Sequence, residues 1–161
     1  GIGCSFGINK EEGCENYLTV KELLVTLCSL VSKGGNFLLN IGPDGDGTIP
    51  PLMEERLLGM GKWLEVNGEA IYESEVYCKK ASEGVYYTQR DGNIYAITEK
   101  FPSKATVFPE IEYSPDYKAS LLGSTADVLI ENADGKLSLK ADICSPEDVA
   151  CEHLYVFKLS K

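Results

Sequence analysis

The stretch GGNFLLNIGPDGDGTIP, residues 34–50, decides the fold. Residues 36–41 contain the apolar run Phe-Leu-Leu, which predicts a parallel strand that is covered on both faces. The glycine pair before this run ends the preceding helix, because glycine takes the left-handed cap conformation without a Cβ penalty. A glycine-rich loop leaves the strand, and Pro50-Pro51 then opens a helix, where a missing N–H costs little. The stretch therefore predicts one α/β unit, from helix through strand to helix.

Two amphipathic helices flank the predicted strand. Thr19 and Glu22 form a capping box, which predicts the start of a helix that runs to about Ser32. The second helix starts at the proline pair, and Asn67-Gly68 closes it. Their apolar positions are Leu23, Leu24, Leu27, Cys28 and Val31 in the first helix, and Leu52, Met53, Leu57, Met60, Trp63 and Leu64 in the second.

One parallel strand cannot form a sheet by itself. Residues 1–16 are loop-like and glycine-rich, and Gly1 is not an initiator Met. We therefore expect that the chain begins after processing or partway through a longer polypeptide, and that strands before Gly1 complete the sheet.

The pattern changes from about Glu73 onward. Asp91-Gly92 and Asp134-Gly135 are tight-turn signals between short apolar runs. About seven short strands with turns between them indicate an antiparallel sandwich. The predicted strands cover residues 85–88, 94–97, 105–108, 119–122, 128–130, 137–139 and 153–159. We expect two domains, an α/β part at residues 1–73 and an all-β part at residues 74–161.

Two long stretches carry a resemblance to a known family. Residues 34–50 and residues 55–72, ERLLGMGKWLEVNGEAIY, resemble the end of the catalytic barrel in α-L-fucosidases, family 29 of the glycoside hydrolases. Ser5-Phe6-Gly7-Ile8 resembles the Ser-aromatic-Gly-Tyr segment that precedes this unit in the family, with Ile8 in the place of Tyr. The resemblance implies the last strand-helix units of a (β/α) TIM-like barrel, followed by the family's C-terminal β-sandwich.

The same resemblance implies a function. The intact protein would be a retaining exo-glycosidase that removes terminal α-L-fucose from glycoconjugates, without a metal or cofactor, in a lysosomal or secreted setting. Its partners would be a fucosylated glycan and the remainder of the barrel, in the same polypeptide or a companion chain; a homo-oligomer stays open. The alternative is a non-catalytic module, derived from a fucosidase, that binds glycan or protein or has a structural role.

Phe6 is the first candidate substrate-binding residue. By the resemblance, this aromatic lines the sugar pocket and packs on the C5-methyl group of fucose. An apolar wall selects a 6-deoxy sugar, because that sugar presents a methyl where others present a hydroxyl, and the contact gives about 1–3 kcal/mol of discrimination. Judged from the residues alone, a Phe that covers a loop is the commoner case.

Asn40 is the second candidate, since it ends the strand on the face where barrel enzymes place their sites. Its amide could bind substrate or a neighbouring catalytic residue. The favoured alternative is that the amide holds the loop of residues 42–47.

No catalytic residue is assigned to this chain. A retaining glycosidase needs two carboxyl groups about 5–5.5 Å apart. In the resembled family, the nucleophilic aspartate and the acid/base lie on earlier parts of the barrel, and no matching motif occurs here. We therefore expect the chain to be inactive by itself.

Metal and phosphate sites are not predicted. Asp44, Asp46 and Glu55 match positions 1, 3 and 12 of a calcium loop, but Ile49 occupies the position where the turn demands glycine. The glycines also fail the spacing of a phosphate loop. His153 is the only histidine, lies in a predicted strand without marked partners, and is expected to be structural or exposed.

Composition limits the partners. The formal net charge is -10 and the sequence pI is about 4.6, which disfavours nucleic acid and anionic membranes. No apolar run is long enough to cross a membrane. Six cysteines allow disulfides in a secretory compartment. Cys28 is expected to be a buried free thiol, and Cys144 and Cys151 flank a loop that they could close.

Overall fold

The structure, a computed structural model, describes residues 1–143 and 145–161. Within these residues two α-helices precede eight strands, and short 3-10 turns lie at Cys14–Asn16, Gly68–Ala70 and Pro146–Asp148. The helices are α1 (Val20–Val31) and α2 (Pro51–Asn67). The strands are β1 (Glu75–Val76), β2 (Val85–Arg90), β3 (Asn93–Thr98), β4 (Thr106–Glu112), β5 (Lys118–Leu121), β6 (Val128–Ala133), β7 (Lys136–Ala141) and β8 (Tyr155–Ser160).

The strands form two antiparallel sheets, as the sequence predicted. The larger sheet has the order β1-β2-β3-β8-β5 and the smaller has the order β4-β7-β6. Strands β2 and β3 form the predicted hairpin, whose turn holds Asp91 at φ 51° and Gly92 at φ 77°. The last strand, β8, lies inside the larger sheet, where Phe157 pairs with Ala96 on one side and with Leu121 on the other.

Aromatic side chains join the two sheets. The ring centroid of Phe108 in β4 lies 6.3 Å from that of Tyr87 in β2 and 5.9 Å from that of Phe157 in β8, both in edge-to-face geometry. All three side chains are fully buried. Edge-to-face pairs are favourable because the positive ring edge meets the negative ring face. This cluster forms the centre of the sandwich.

The helical layer covers the other face of the larger sheet. The Trp63 indole N–H in α2 donates to the Leu154 carbonyl beside β8 at 2.8 Å, and the Thr88 hydroxyl in β2 donates to the Ala70 carbonyl at 2.7 Å. The larger sheet is therefore packed on both faces, which explains why β8 buries apolar residues of both parities. Buried residues of the two predicted domains form one continuous cluster, and the division at residue 73 stays a prediction.

Helix α1 starts and ends as the sequence predicted. The Glu22 N–H donates to the Thr19 hydroxyl at 3.3 Å, and the Thr19 N–H donates to the Glu22 carboxylate at 2.8 Å. The Thr19 N–H and the Thr19 hydroxyl, which donates to the same carboxylate at 2.7 Å, stabilise its charged form and lower the pKa of Glu22. At the other end, Gly34 takes φ 84°, the left-handed conformation that favours glycine.

The predicted apolar faces of the helices are buried to different degrees. Cys28 is fully buried, and this burial raises the pKa of its thiol, so the prediction of a buried free thiol is confirmed. Helix α2 begins with Pro51 in its first turn, as predicted, and buries Met53, Met60 and Trp63. No helix of the described residues has the length and apolar character to cross a bilayer.

The prediction of a covered strand at residues 36–41 is wrong for the described chain. This segment joins no sheet, and the Leu38 side chain is 92% exposed. Its one contact through backbone hydrogen bonding is the Asn40 carbonyl, which accepts from the Ile2 N–H at 3.1 Å. A parallel strand needs neighbours on its edges and layers on its faces, and the described residues supply neither.

One further sequence prediction is wrong, one strand was not predicted, and one prediction is not tested. His153 lies before β8 rather than in it, at φ 74° in a tight turn in which the Leu154 N–H donates to the Glu152 carbonyl at 2.9 Å. The two-residue strand β1 was missed, because so short a segment has no readable alternation. Cys144 lies outside the described residues, and Cys151 is buried with its thiol 3.7 Å from the Leu154 carbonyl.

Candidate functional site

The amino-terminal loop folds back onto residues 36–42. The Ile2 N–H donates to the Asn40 carbonyl at 3.1 Å, and the Leu18 N–H donates to the Ile2 carbonyl at 3.0 Å. The Ile2 side chain is buried, which anchors the loop to the body of the molecule. Residues 1–18 therefore lie beside the segment that carries Asn40.

Gly42 is the point of closest approach between the two segments. A Cβ on Gly42 would lie 2.5 Å from the Gly7 carbonyl carbon and closer still to the Ile8 nitrogen. Backbone atoms cannot give way as a flexible side chain can, so only glycine fits here without moving the loop. The sequence showed this glycine as part of a loop but gave no sign of the contact across it.

Phe6 and Asn40, the two candidate substrate-binding residues, are brought together by the structure. The Asn40 side-chain amide donates to the Phe6 carbonyl, and the Asn9 side-chain amide donates to the Ser5 hydroxyl at 3.1 Å. The Phe6 side chain is 83% exposed. The Asn40 amide thus holds the Phe6 loop and not the loop of residues 42–47, which corrects the favoured alternative. The substrate roles of both residues stay predictions.

The acidic loop that follows residues 36–41 is held by hydrogen bonds within the loop. The Asp44 N–H donates to the Thr48 carbonyl at 2.8 Å, and the Thr48 N–H donates to the Asp46 carboxylate at 3.0 Å. This last bond lowers the pKa of Asp46. In the part of the chain that the structure describes, no group of three or more His, Cys, Asp or Glu residues is arranged to hold a metal ion.

Glu12 is a residue of this region that sequence reasoning missed. Its Oε2 packs over Gly3, where any side chain would collide with it. Its Oε1 is buried without a hydrogen-bond partner among the described residues, while its N–H donates to the Asn9 carbonyl at 3.2 Å. Nothing in the sequence distinguishes Glu12 from the other acidic residues, so its buried position could not be predicted.

Two further ionisable pairs with shifted pKa values lie elsewhere, in the sandwich and between it and the helical layer. The Tyr87 hydroxyl donates to the Glu110 carboxylate at 2.7 Å, and burial raises the pKa of Tyr87. The Lys158 ammonium donates to the Glu69 carboxylate at 2.8 Å, which raises the pKa of Lys158. Both pairs are explained by packing between layers, so perturbed pKa values do not locate a site in this chain.

Comparisons with known proteins identify the family. Residues 1–69 match the family model described as Alpha-L-fucosidase. Human plasma alpha-L-fucosidase is 45% identical over 109 residues, which are 65% of this chain and 23% of that protein. Alpha-L-fucosidase of Branchiostoma floridae is 33% identical over 160 residues, which are 96% of this chain and 36% of that protein.

A solved structure gives the same result for the fold. The crystal structure of Thermotoga maritima alpha-fucosidase in complex with a mechanism-based inhibitor superposes with a TM-score of 0.84 at 34% sequence identity. The match covers 99% of this chain and 38% of that one. The chain thus spans about a third of the length of such relatives. It belongs to the α-L-fucosidase family, as a C-terminal part of such a protein.

Proposed function

We propose that the chain is the C-terminal part of a retaining α-L-fucosidase that removes terminal α-L-fucose from glycoconjugates. The observation that carries this proposal is the hydrogen bond from the Asn40 amide to the Phe6 carbonyl, which presents an exposed aromatic ring beside the end of residues 36–41. An apolar ring on a positioned backbone can select the methyl group of a 6-deoxy sugar.

Residues 36–41 complete the barrel in this proposal. Apart from the Asn40 carbonyl, the backbone groups of this segment make no hydrogen bonds within the described chain, and Leu38 is exposed. An extended apolar segment with open edges favours pairing with further strands. The remainder of the barrel is the proposed partner, with residues 1–73 as its last part and residues 74–161 as the sandwich domain.

The catalytic carboxyl groups come from that remainder. The exposed Phe6 ring contacts the methyl group of the fucosyl residue, and the Asn40 amide acts as a positioning group through the Phe6 carbonyl. The chain by itself does not hydrolyse fucosides. Relatives named plasma and tissue alpha-L-fucosidase support a secreted or lysosomal setting.

The test is Phe6→Ala in the full-length protein. The kcat/KM for an aryl α-L-fucoside should fall about tenfold or more, because the apolar wall contributes about 1–3 kcal/mol to transition-state binding. The kcat/KM for the α-L-galactoside, which carries CH₂OH in place of the methyl, should fall less. Leu129→Ala is the matched control, since it removes an exposed apolar side chain from β6 in the smaller sheet, away from the Phe6 loop.

Two results would count against the proposal. An unchanged fucoside kcat/KM in Phe6→Ala, with normal folding, would remove Phe6 from the site. A full-length protein that binds fucosylated glycan but hydrolyses no aryl fucoside would be a binding module and not an enzyme.

A further inference from the structure

A surface cavity of about 390 Å³ lies between the end of α1 and the connection from β1 to β2. Three lysines line it, Lys33 from the end of α1 and Lys79-Lys80 from the connection. Lys33 lies far from the adjacent pair in sequence, and the fold brings all three to one place. The volume is in the range of about 300–1,000 Å³ that is typical of pockets for small ligands.

The lysines of this cavity make no ion pair in the described chain. The one acidic lining residue is Glu83, so the lining carries three positive charges and one negative, a net +2. The whole chain has a formal net charge of -10. Four other surface cavities of the described residues hold at most one Lys or Arg each. The cavity is therefore a local positive site on an acidic protein.

The hydroxyl donors of the cavity side chains are already engaged. The Tyr86 hydroxyl donates to the Glu99 carboxylate at 3.2 Å, and the Ser82 hydroxyl donates to the Glu110 carboxylate at 3.0 Å. Glu99 is also paired with Lys21 at 3.1 Å. The Lys33 ammonium donates one of its three N–H groups to the Ser29 hydroxyl at 3.0 Å, so two N–H groups are available to a ligand. The free donors of the cavity are thus ammonium groups, which prefer anionic acceptors.

The cavity is separate from the Phe6 loop. None of the residues that line the lysine cavity belongs to the Phe6 loop or to residues 36–41. A group in the lysine cavity cannot be the sugar ring that contacts Phe6.

We propose that this cavity is a second binding site, for the oxyanion group of an acidic saccharide. A sulfate ester or a uronic carboxylate supplies two or three acceptor oxygens to the three ammonium groups, and the cavity has room for the sugar that carries it. The site does not rest on the proposed fucosidase activity, because its occupancy requires no fucoside.

The test is a binding titration of the full-length protein at low ionic strength, with galactose 6-sulfate, glucuronate and inorganic sulfate as probes. Saturable binding of a charged sugar is expected, together with loss of affinity in 0.5 M NaCl, where charges are screened. The double variant K79A/K80A should weaken binding about tenfold or more, because each ammonium makes a charge-assisted hydrogen bond. K104A/K118A removes the same charge from exposed lysines outside the cavity and should leave binding unchanged.

The relative affinities of the probes distinguish a charged sugar from a free anion as the ligand. Tighter binding of galactose 6-sulfate or glucuronate than of inorganic sulfate supports a saccharide ligand, whereas equal binding supports an oxyanion site for free ions. K33Q, which removes the charge but keeps a polar side chain, guards against misfolding of the double variant and should also weaken binding. The inference is overturned if no probe saturates, or if the control variant loses as much affinity as K79A/K80A. Fucosidase activity, measured in parallel, can fail or persist independently of these results.

Discussion

Two apolar segments of this chain have opposite fates. Strand β8 is buried inside the larger sheet, between β3 and β5. Residues 36–41 have a similar share of apolar residues, yet they pair with no strand and expose Leu38. The difference is not in the residues but in their neighbours, since β8 finds strands on both edges and layers on both faces. Apolar composition favours burial of a segment, but the strands and layers around the segment decide whether it is buried.

The largest expected effect on stability is in the buried strand β8. Phe157→Ala should lower the free energy of unfolding by about 3–5 kcal/mol, because it leaves a cavity beside Phe108 at the centre of the sandwich. Chemical denaturation of the variant and the parent measures this difference. A loss below about 1 kcal/mol would mean that the two sheets do not pack as described.

A substitution in residues 36–41 should have different effects in the isolated chain and in the full-length protein. Leu38→Ala should change the stability of the isolated chain by less than about 0.5 kcal/mol, because its side chain is exposed. In the full-length protein the same change should cost about 2–5 kcal/mol, because neighbouring strands and helices would cover the side chain. Equal effects in both proteins would contradict the proposal that residues 36–41 complete a barrel. Denaturation of both forms under one set of conditions makes the comparison.

A smaller effect is expected at the contact between this segment and the amino-terminal loop. Gly42→Ala should cost about 1–3 kcal/mol and lower fucoside kcat/KM in the full-length protein, because the new methyl group displaces the Gly7-Ile8 backbone. Gly45→Ala is the matched control, since a Cβ there meets nothing within 4 Å. If both variants behave alike in denaturation and kinetics, the loop is not held at this point.

The smallest expected effect is at the start of α1, in a pH-dependent form. Thr19→Ala should cost about 1 kcal/mol at neutral pH through loss of the cap. Hydrogen bonds from Thr19 hold the pKa of Glu22 below its ordinary value, so the stabilising contribution of its carboxylate is present above that ordinary value and is lost as pH falls through the folded-state pKa. The variant loses the bond from the Thr19 hydroxyl to this carboxylate, so the difference between variant and parent should shrink in acid. Thermal unfolding from neutral pH to pH 3 measures it, and a difference that grows in acid would contradict this assignment.

The elements that could be predicted from sequence are those whose signal is local. The capping box at Thr19, the proline start of α2 and the hairpin turn at Asp91-Gly92 depend on neighbouring residues, and all are confirmed. The predicted strand at residues 36–41 was not found, because no strand of the described residues pairs with it. His153 was placed in a strand because alternation was extended over it, and its positive φ has no signature in a non-glycine residue.

The candidate site shows the same division. Phe6 and Asn40 could be named from a family resemblance, but their hydrogen bond joins residues 34 positions apart and was not predictable. Gly42 required knowledge of the backbone opposite it. Glu12 and the three lysines of the cavity are ordinary charged residues in the sequence, and only the fold gives them neighbours.

The position of β8 has a consequence for synthesis on the ribosome. This strand follows all the others in sequence, yet it lies between β3 and β5 and accepts the Trp63 hydrogen bond at its start through the Leu154 carbonyl. While the nascent chain still holds β8 in the exit tunnel, β3 has an open edge and β5 has no partner in the larger sheet. A premature stop codon before Tyr155 would therefore divide this sheet in its interior, and the product would become a client of chaperones and proteases.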